Sequence, residues 1–359
     1  MGISLMNTVR QRKKRVCFIV FFIIVLLIVP LNGLISSQTL VSATTLDQFH
    51  YRTYQEMTDL LQSLAVNHTD IMSLSSIGTT YQGRTIWMVK LSDNVSVEES
   101  EPGVLFMGAH HGNEKPSYEV CLFFIEYMVE NYDNESMGEL KEVLDSTEIY
   151  LIPMVNPDGV EADTRKNCAP NYGPYGHKKE ITSYGVNLNR NYDDYWFLYY
   201  LLPTAFGFAF NTMDSSFNYH GPYPFSENET KAVRDFVNAH DISISLSFHT
   251  YGEYIFYPWM HTTRPPKDEA LFVSIGENIS SMNHYYLYVG EQHLIPRYGG
   301  TLGSSENWLY REHRIIAYTI ELCTERAPTN PTTMQNLFMT QLEVNLYVCH
   351  RAQTIEFEK

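Results

Sequence analysis

His111 and Glu114 stand three residues apart in the run Gly108-Ala109-His110-His111-Gly112-Asn113-Glu114, and His249 lies far downstream. An imidazole and a carboxylate at this spacing, joined by a second imidazole, make a donor set for a divalent metal. Two histidines and one glutamate leave zinc a fourth position open to water, the pattern of a catalytic rather than a structural site. His-x-x-Glu alone recurs by chance, and the plainer reading is a solvated loop with His110 or His111 bonded to a carbonyl. His249 argues against that reading. It ends the apolar run Ile242–Phe248, where an uncharged residue would cost less to bury.

The elements that must position these side chains can be read from pattern. Thr53 and Glu56 form a capping box that opens an amphipathic helix reaching about Val66. Strands are expected at Thr85–Leu91 and Gly103–Met107, and Pro116 suits the first turn of a helix running to about Tyr132. Glu148–Val155 reads as a buried strand entering the turn Asn156-Pro157-Asp158-Gly159. Ser226 and Glu229 are expected to cap a further helix, which leads into the strand Ile242–Phe248. A helix near Lys267–Met282, a strand Ile315–Glu321 and a closing helix Pro331–His350 complete the order. Strands alternating with helices predict an α/β sheet covered on both faces. In such sheets ligands sit beyond the carboxyl ends of the strands. The His111–Glu114 loop, Asn156–Gly159 and His249 each follow a strand, so their polar groups are expected to share one crevice.

Residues 1–45 stand apart from this pattern. Five basic residues between Arg10 and Arg15 precede the apolar run Val16–Val29, which Pro30, Asn32 and Gly33 interrupt. That is the form of an export signal or a short signal-anchor, with a membrane tether through residues 16–35 as the second case. Charge placed before the apolar run predicts that everything after it faces outward, secreted or anchored outside the cytoplasm. Residues 46–359 carry 20 basic against 41 acidic residues and form one expected domain without repeats or linkers. So acidic a surface disfavours nucleic acid and anionic membrane as partners. Cys121, Cys168, Cys323 and Cys349 allow up to two disulfides, and the absence of any CxxC spacing argues against a cysteine zinc site.

Several segments in order resemble the zinc metallocarboxypeptidases, relatives of pancreatic carboxypeptidases A and B. His111, Glu114 and His249 match the family's H-x-x-E and distant H. Asn156–Gly159 matches its NPDG turn, Arg165-Lys166-Asn167 its arginine segment, and Gly185-Val186-Asn187-Leu188-Asn189-Arg190-Asn191 its G-V-D/N-x-N-R-N signature. Tyr219-His220-Gly221 with Ser226-Glu227, and Ile320-Glu321-Leu322, match two further stretches. The resemblance implies a single domain with a mixed parallel and antiparallel twisted sheet, and one zinc ion per chain on His111, Glu114 and His249. It implies Glu321 as the base that takes a proton from water and returns it to the leaving amine. It also implies Arg165 at the oxyanion, and Asn189 with Arg190 at a terminal carboxylate, which a guanidinium fork suits. Tyr298 resembles the family's substrate-closing tyrosine, displaced by one residue. The resemblance also puts Glu306, two before Trp308, at the floor of the pocket for the departing side chain, where an acidic residue implies a preference for Lys or Arg ends.

The expected partners are thus peptide and protein C-termini. Because the leader runs into the domain within about 20 residues, no large folded inhibitory pro-segment is expected. Two other readings use the same fold: a cell-wall peptide or amide hydrolase, and a non-catalytic binding module. A residue other than Arg190, or loss of Glu321 or a metal ligand, would have favoured them.

Overall fold

Alternation along the central strands decides which side chains face which layer. The strands are β1 Met72–Thr79, β2 Thr85–Leu91, β3 Gly103–Met107, β4 Glu148–Ile152, the pair β5 (171–172) and β6 (181–183), β7 Ile242–Thr250, β8 Tyr254–Phe256, β9 Tyr286–Leu287 and β10 Ile316–Leu322. The helices are α1 Tyr54–Asn67, α2 Pro116–Asn131, α3 Gly138–Leu144, α4 Pro157–Glu161, α5 Leu198–Leu201, α6 Asn228–Ala239, α7 Glu269–Asn283, α8 Ser305–His313 and α9 Pro331–Ala352. This computed structural model describes residues 49–168, 185–201, 215–289, 301–355 and 357, together with the β5 and β6 backbone. The basic leader and its apolar run lie outside the described residues. Among the described residues no helix is long and apolar enough to cross a membrane.

Eight strands form one sheet in the order β1-β2-β4-β3-β7-β10-β8-β9. Its centre, β4-β3-β7-β10, is parallel, while β1, β2 and β8 join antiparallel, so the sheet is mixed as expected. In β3, Val104 and Phe106 face one core, with α1, α2, α3, α7 and α9, while Leu105 and Met107 face the other, with α6 and α8. Phe106 lies between Phe124 and Phe248, at ring-centroid distances of 5.4 and 6.2 Å. Burying each such side chain contributes roughly 1.5–3 kcal/mol.

The same alternation turns polar on one face of β7 and β10. Ile244, Leu246 and Phe248 enter the first core; Ser245, Ser247 and His249 project to the opposite face. In β10, Ile316, Tyr318 and Ile320 enter that core, and Thr319 and Glu321 project with Ser247 and His249. A polar floor therefore lies at the carboxyl ends of two central strands.

Local signals account for most boundaries. The Thr53–Glu56 capping box opens α1, Pro116 occupies the first turn of α2, and Asn330 caps α9 by accepting Thr333 N–H. One expectation is corrected. Ser226 does not cap α6: Glu227 holds the cap position without a side-chain bond, Ser226 Oγ–H donates to Glu227, and Glu229 accepts Tyr81 N–H at 3.0 Å. The four described cysteines are buried and no disulfide joins them, which the sequence reading of at most two allows. Strand β1, with the polar sequence MSLSSIGT, has too little apolar alternation to be read before the fold is known.

Candidate active site

The loop after β3 is fixed before it presents any ligand. Ala109 N–H donates to Ser117 Oγ at 2.9 Å, and Ser117 Oγ–H donates to the Glu114 carbonyl at 2.5 Å, so the first turn of α2 clamps the loop. The turn after β4 holds it from the other side. Asn156 Nδ2 donates to the His110 and Lys166 carbonyls at 3.1 and 3.2 Å, while Asn156 Oδ1 accepts Gly159 N–H at 2.8 Å. Gly112 packs on this turn so closely that a Cβ would fall 1.9 Å from the Gly159 carbonyl carbon. Only glycine fits there. Asp158 serves the scaffold, accepting from Thr80, Gln82 and Arg84.

His111, Glu114 and His249 then converge, all buried. The two Nδ1 atoms are 3.0 Å apart, Glu114 Oε1 is 3.0 Å from His111 Nδ1, and Glu114 Oε2 is 2.9 Å from His249 Nδ1. Two imidazole nitrogens and a carboxylate oxygen aimed at one point suit tetrahedral zinc with a position to spare. The outer nitrogens are occupied too. His111 Nε2 lies 3.0 Å from Asn187 Oδ1, whose amide nitrogen donates to Asn218 at 3.1 Å. An amide oxygen that accepts there leaves Nδ1 free for a metal. Burial opposes the ionised form of Glu114, yet His111 and His249 hold its carboxyl well below the usual range. Burial, then Arg165, pull His111 down to about 3.

Glu321 stands beside His249 on the polar face, its carboxyl pushed up to about 7 by burial first and the Glu114 charge second. The half-buried Arg165 guanidinium feels the charges of Glu114, Arg190 and Glu321. Arg165 Nη1 donates to Glu114 Oε1 at 2.8 Å, and its Nε is buried without a partner. Arg190 Nη1 donates to the Asn189 carbonyl at 2.5 Å, and among the described residues no carboxylate pairs with it. Asn189 Oδ1 accepts Ser305 N–H at 2.8 Å, which orients its amide nitrogen toward His249 Nε2, 3.4 Å away.

Glu306 is not solvated at the start of α8. It is buried, and among the described residues no cation pairs with it. Its charge is felt by Tyr192 and His249, which places it on the same side as the metal-type cluster. Trp308 packs against Tyr192 and Phe225 at 5.6 and 5.3 Å. Tyr298 lies outside the described residues. Sequence reasoning missed His110, Tyr192 and Ser247, which are buried behind His249 and bonded to one another. The signal for them is indirect: a ligating histidine needs an acceptor for its other nitrogen.

The sequence profile of the zinc carboxypeptidase family matches residues 57–344. Over 310 residues the chain is 30% identical to a zinc carboxypeptidase of Saccharothrix mutabilis subsp. capreolus, covering 82% of this chain and 67% of that protein. It is 27% identical over 289 residues to carboxypeptidase A1 of Rattus norvegicus, covering 78% of this chain and 65% of the relative. The chain thus spans about two thirds of the length of the curated relatives it matches. The solved structure of carboxypeptidase A from Helicoverpa armigera has a TM-score of 0.71 at 21% identity, covering 86% of this chain and 75% of that one. That likeness is one of fold.

Proposed function

The chain belongs to the zinc carboxypeptidase family, and on that premise we propose that it hydrolyses the C-terminal peptide bond of peptides or proteins. His111, Glu114 and His249 would hold the zinc ion. Zinc bound there supplies Lewis acidity and eases ionisation of water. Glu321 takes the proton of the attacking water and returns it to the leaving amine. A buried carboxyl held up to about 7 can do both near neutral pH. Arg165 steadies the developing oxyanion; its unpartnered Nε supports this, since only one edge of its guanidinium is used by Glu114. Asn189 and Arg190 receive the terminal carboxylate. The observation that carries the exopeptidase reading is Arg190, which has no carboxylate partner among the described residues and whose charge is felt by Glu321.

Glu306 gives the pocket for the departing side chain a preference for Lys or Arg. A buried carboxylate with no cation partner among the described residues supports this, because a basic side chain would supply one. Tyr298 closes over substrate. Residues 1–45 act as an export signal or anchor, and the catalytic domain of residues 46–359 works outside the cytoplasm, tethered through residues 16–35 if the leader is retained. The apolar run behind a basic cluster supports that placement.

The test is a digest of a C-terminal peptide library by zinc-loaded protein, run beside the same peptides with amidated ends. Stepwise loss from free C-termini, with amidated peptides refused, is expected. Internal cleavage, or equal cleavage of amidated ends, overturns the reading.

A further inference from the structure

Behind His249 runs a chain of buried groups that the reaction above does not use. The metal-facing atom of His249 is Nδ1, which points at His111 and Glu114. A neutral imidazole that gives Nδ1 to a metal carries its proton on Nε2. Among the described residues two groups reach that nitrogen: Ser247 Oγ at 3.3 Å and Asn189 Nδ2 at 3.4 Å. Asn189 cannot accept the proton, because Ser305 N–H fixes its Oδ1 elsewhere and leaves an NH2 facing His249. Ser247 Oγ is the acceptor that remains. Its own proton then goes to its other neighbour, His110 Nδ1, at 3.2 Å. His110 so engaged carries its proton on Nε2, which lies 2.9 Å from Tyr192 Oη.

We propose that His110 is a positioning residue, acting through the Ser247 hydroxyl to lock the His249 tautomer and the aim of its ring. The inference rests on the zinc reading of the preceding subsection. A serine hydroxyl is a weak acceptor by itself, and donating its proton to His110 polarises it toward the one it receives. His110, Ser247, His249 and Tyr192 are all at most 2% exposed, so solvent does not compete for these bonds. The His110 ring also stacks beside His249, with centroids 5.7 Å apart and planes at 19°.

The contrast that tests this is His110→Phe, which keeps a ring but removes the acceptor, against His110→Asn, whose amide oxygen can still take the Ser247 proton. Ser247→Ala removes the link itself. Zinc affinity is measured by competition with a chromophoric chelator, metal geometry by the visible spectrum of the cobalt-substituted protein, and folding by melting of the metal-free protein. His110→Phe and Ser247→Ala are expected to lose about 10–100-fold in zinc affinity and to shift the cobalt bands, with His110→Asn recovering most of both. If His110→Phe does not fold, the same contrast is read from Ser247→Ala against His110→Asn. Unchanged affinity and spectrum in His110→Phe, or equal losses in the Phe and Asn variants, overturn the relay alone. Wild-type protein that takes up no zinc overturns the metal reading and the relay with it.

Discussion

Glu321 and His249 are register partners across the parallel strands β10 and β7. Directly paired residues of neighbouring strands project from the same face of the sheet. The proposed base is therefore set beside a proposed metal ligand by the backbone ladder, with no mobile loop between them. Glu321→Gln keeps the shape and removes the proton acceptor. Turnover is expected to fall about 10²–10⁴-fold, with zinc content unchanged by metal analysis. Near-normal turnover would exclude Glu321 as the base.

Arg165 bonds Glu114 and keeps its Nε unpartnered. If that free edge serves the transition state, Arg165→Ala should lower kcat by roughly 10²–10³-fold with a smaller change in KM. Zinc affinity must be followed in parallel, since the variant also strips a partner from Glu114. A rise in KM alone, with kcat preserved, would assign Arg165 to substrate binding instead.

Glu306 is buried, and among the described residues no cation pairs with it. Glu306→Ala should cut kcat/KM on peptides ending in Lys or Arg by far more than on those ending in Phe or Leu. Equal losses on both would remove Glu306 from specificity.

His111, Glu114 and His249 aim two imidazole nitrogens and a carboxylate at one point. Zinc should raise the melting temperature, with about 2.7 kcal/mol gained at a free concentration a hundred times the Kd. Chelation should reverse the gain, and His249→Ala should abolish it. A melting temperature indifferent to zinc would refute the site.

Glu229 offers a pH test away from the metal. Burial pushes its carboxyl from the ordinary 4.5 up to about 7, while Tyr81 N–H partly offsets the rise. Between these values the native state keeps a proton that the unfolded chain has released, so stability falls as pH rises and stays lowered above about 7. Glu229→Gln should remove a loss on the order of 3 kcal/mol, read as a higher denaturation midpoint at pH 8 with little change at pH 4. An equal shift at both pH values would assign the effect to packing.

Much of this architecture was legible in the chain. The β2, β3, β7 and β10 strands announce themselves as apolar runs, and α1, α2 and α9 carry caps or prolines that act within one turn. Those signals are local, so no tertiary context is needed to read them. Strand β1 was not legible, because it is polar and gains its place by pairing with β2. The Ser226 cap failed for a related reason: the Ser226 hydroxyl is committed to Glu227 and to Asn191.

The metal-type triad shows the same division. Residue type and spacing alone nominated His111, Glu114 and His249, and the order of matching segments added Glu321, Arg165, Asn189 and Arg190. What the sequence could not specify is which nitrogen of each histidine faces the shared point, or what receives the proton on the other. The parallel register of β7 with β10, and the clamp of α2 on the loop after β3, decided the first. Asn187, Ser247 and the buried His110 decided the second. Spacing along the chain records which donors exist. Their direction depends on hydrogen bonds between residues far apart in sequence, and those bonds exist only once the sheet has formed.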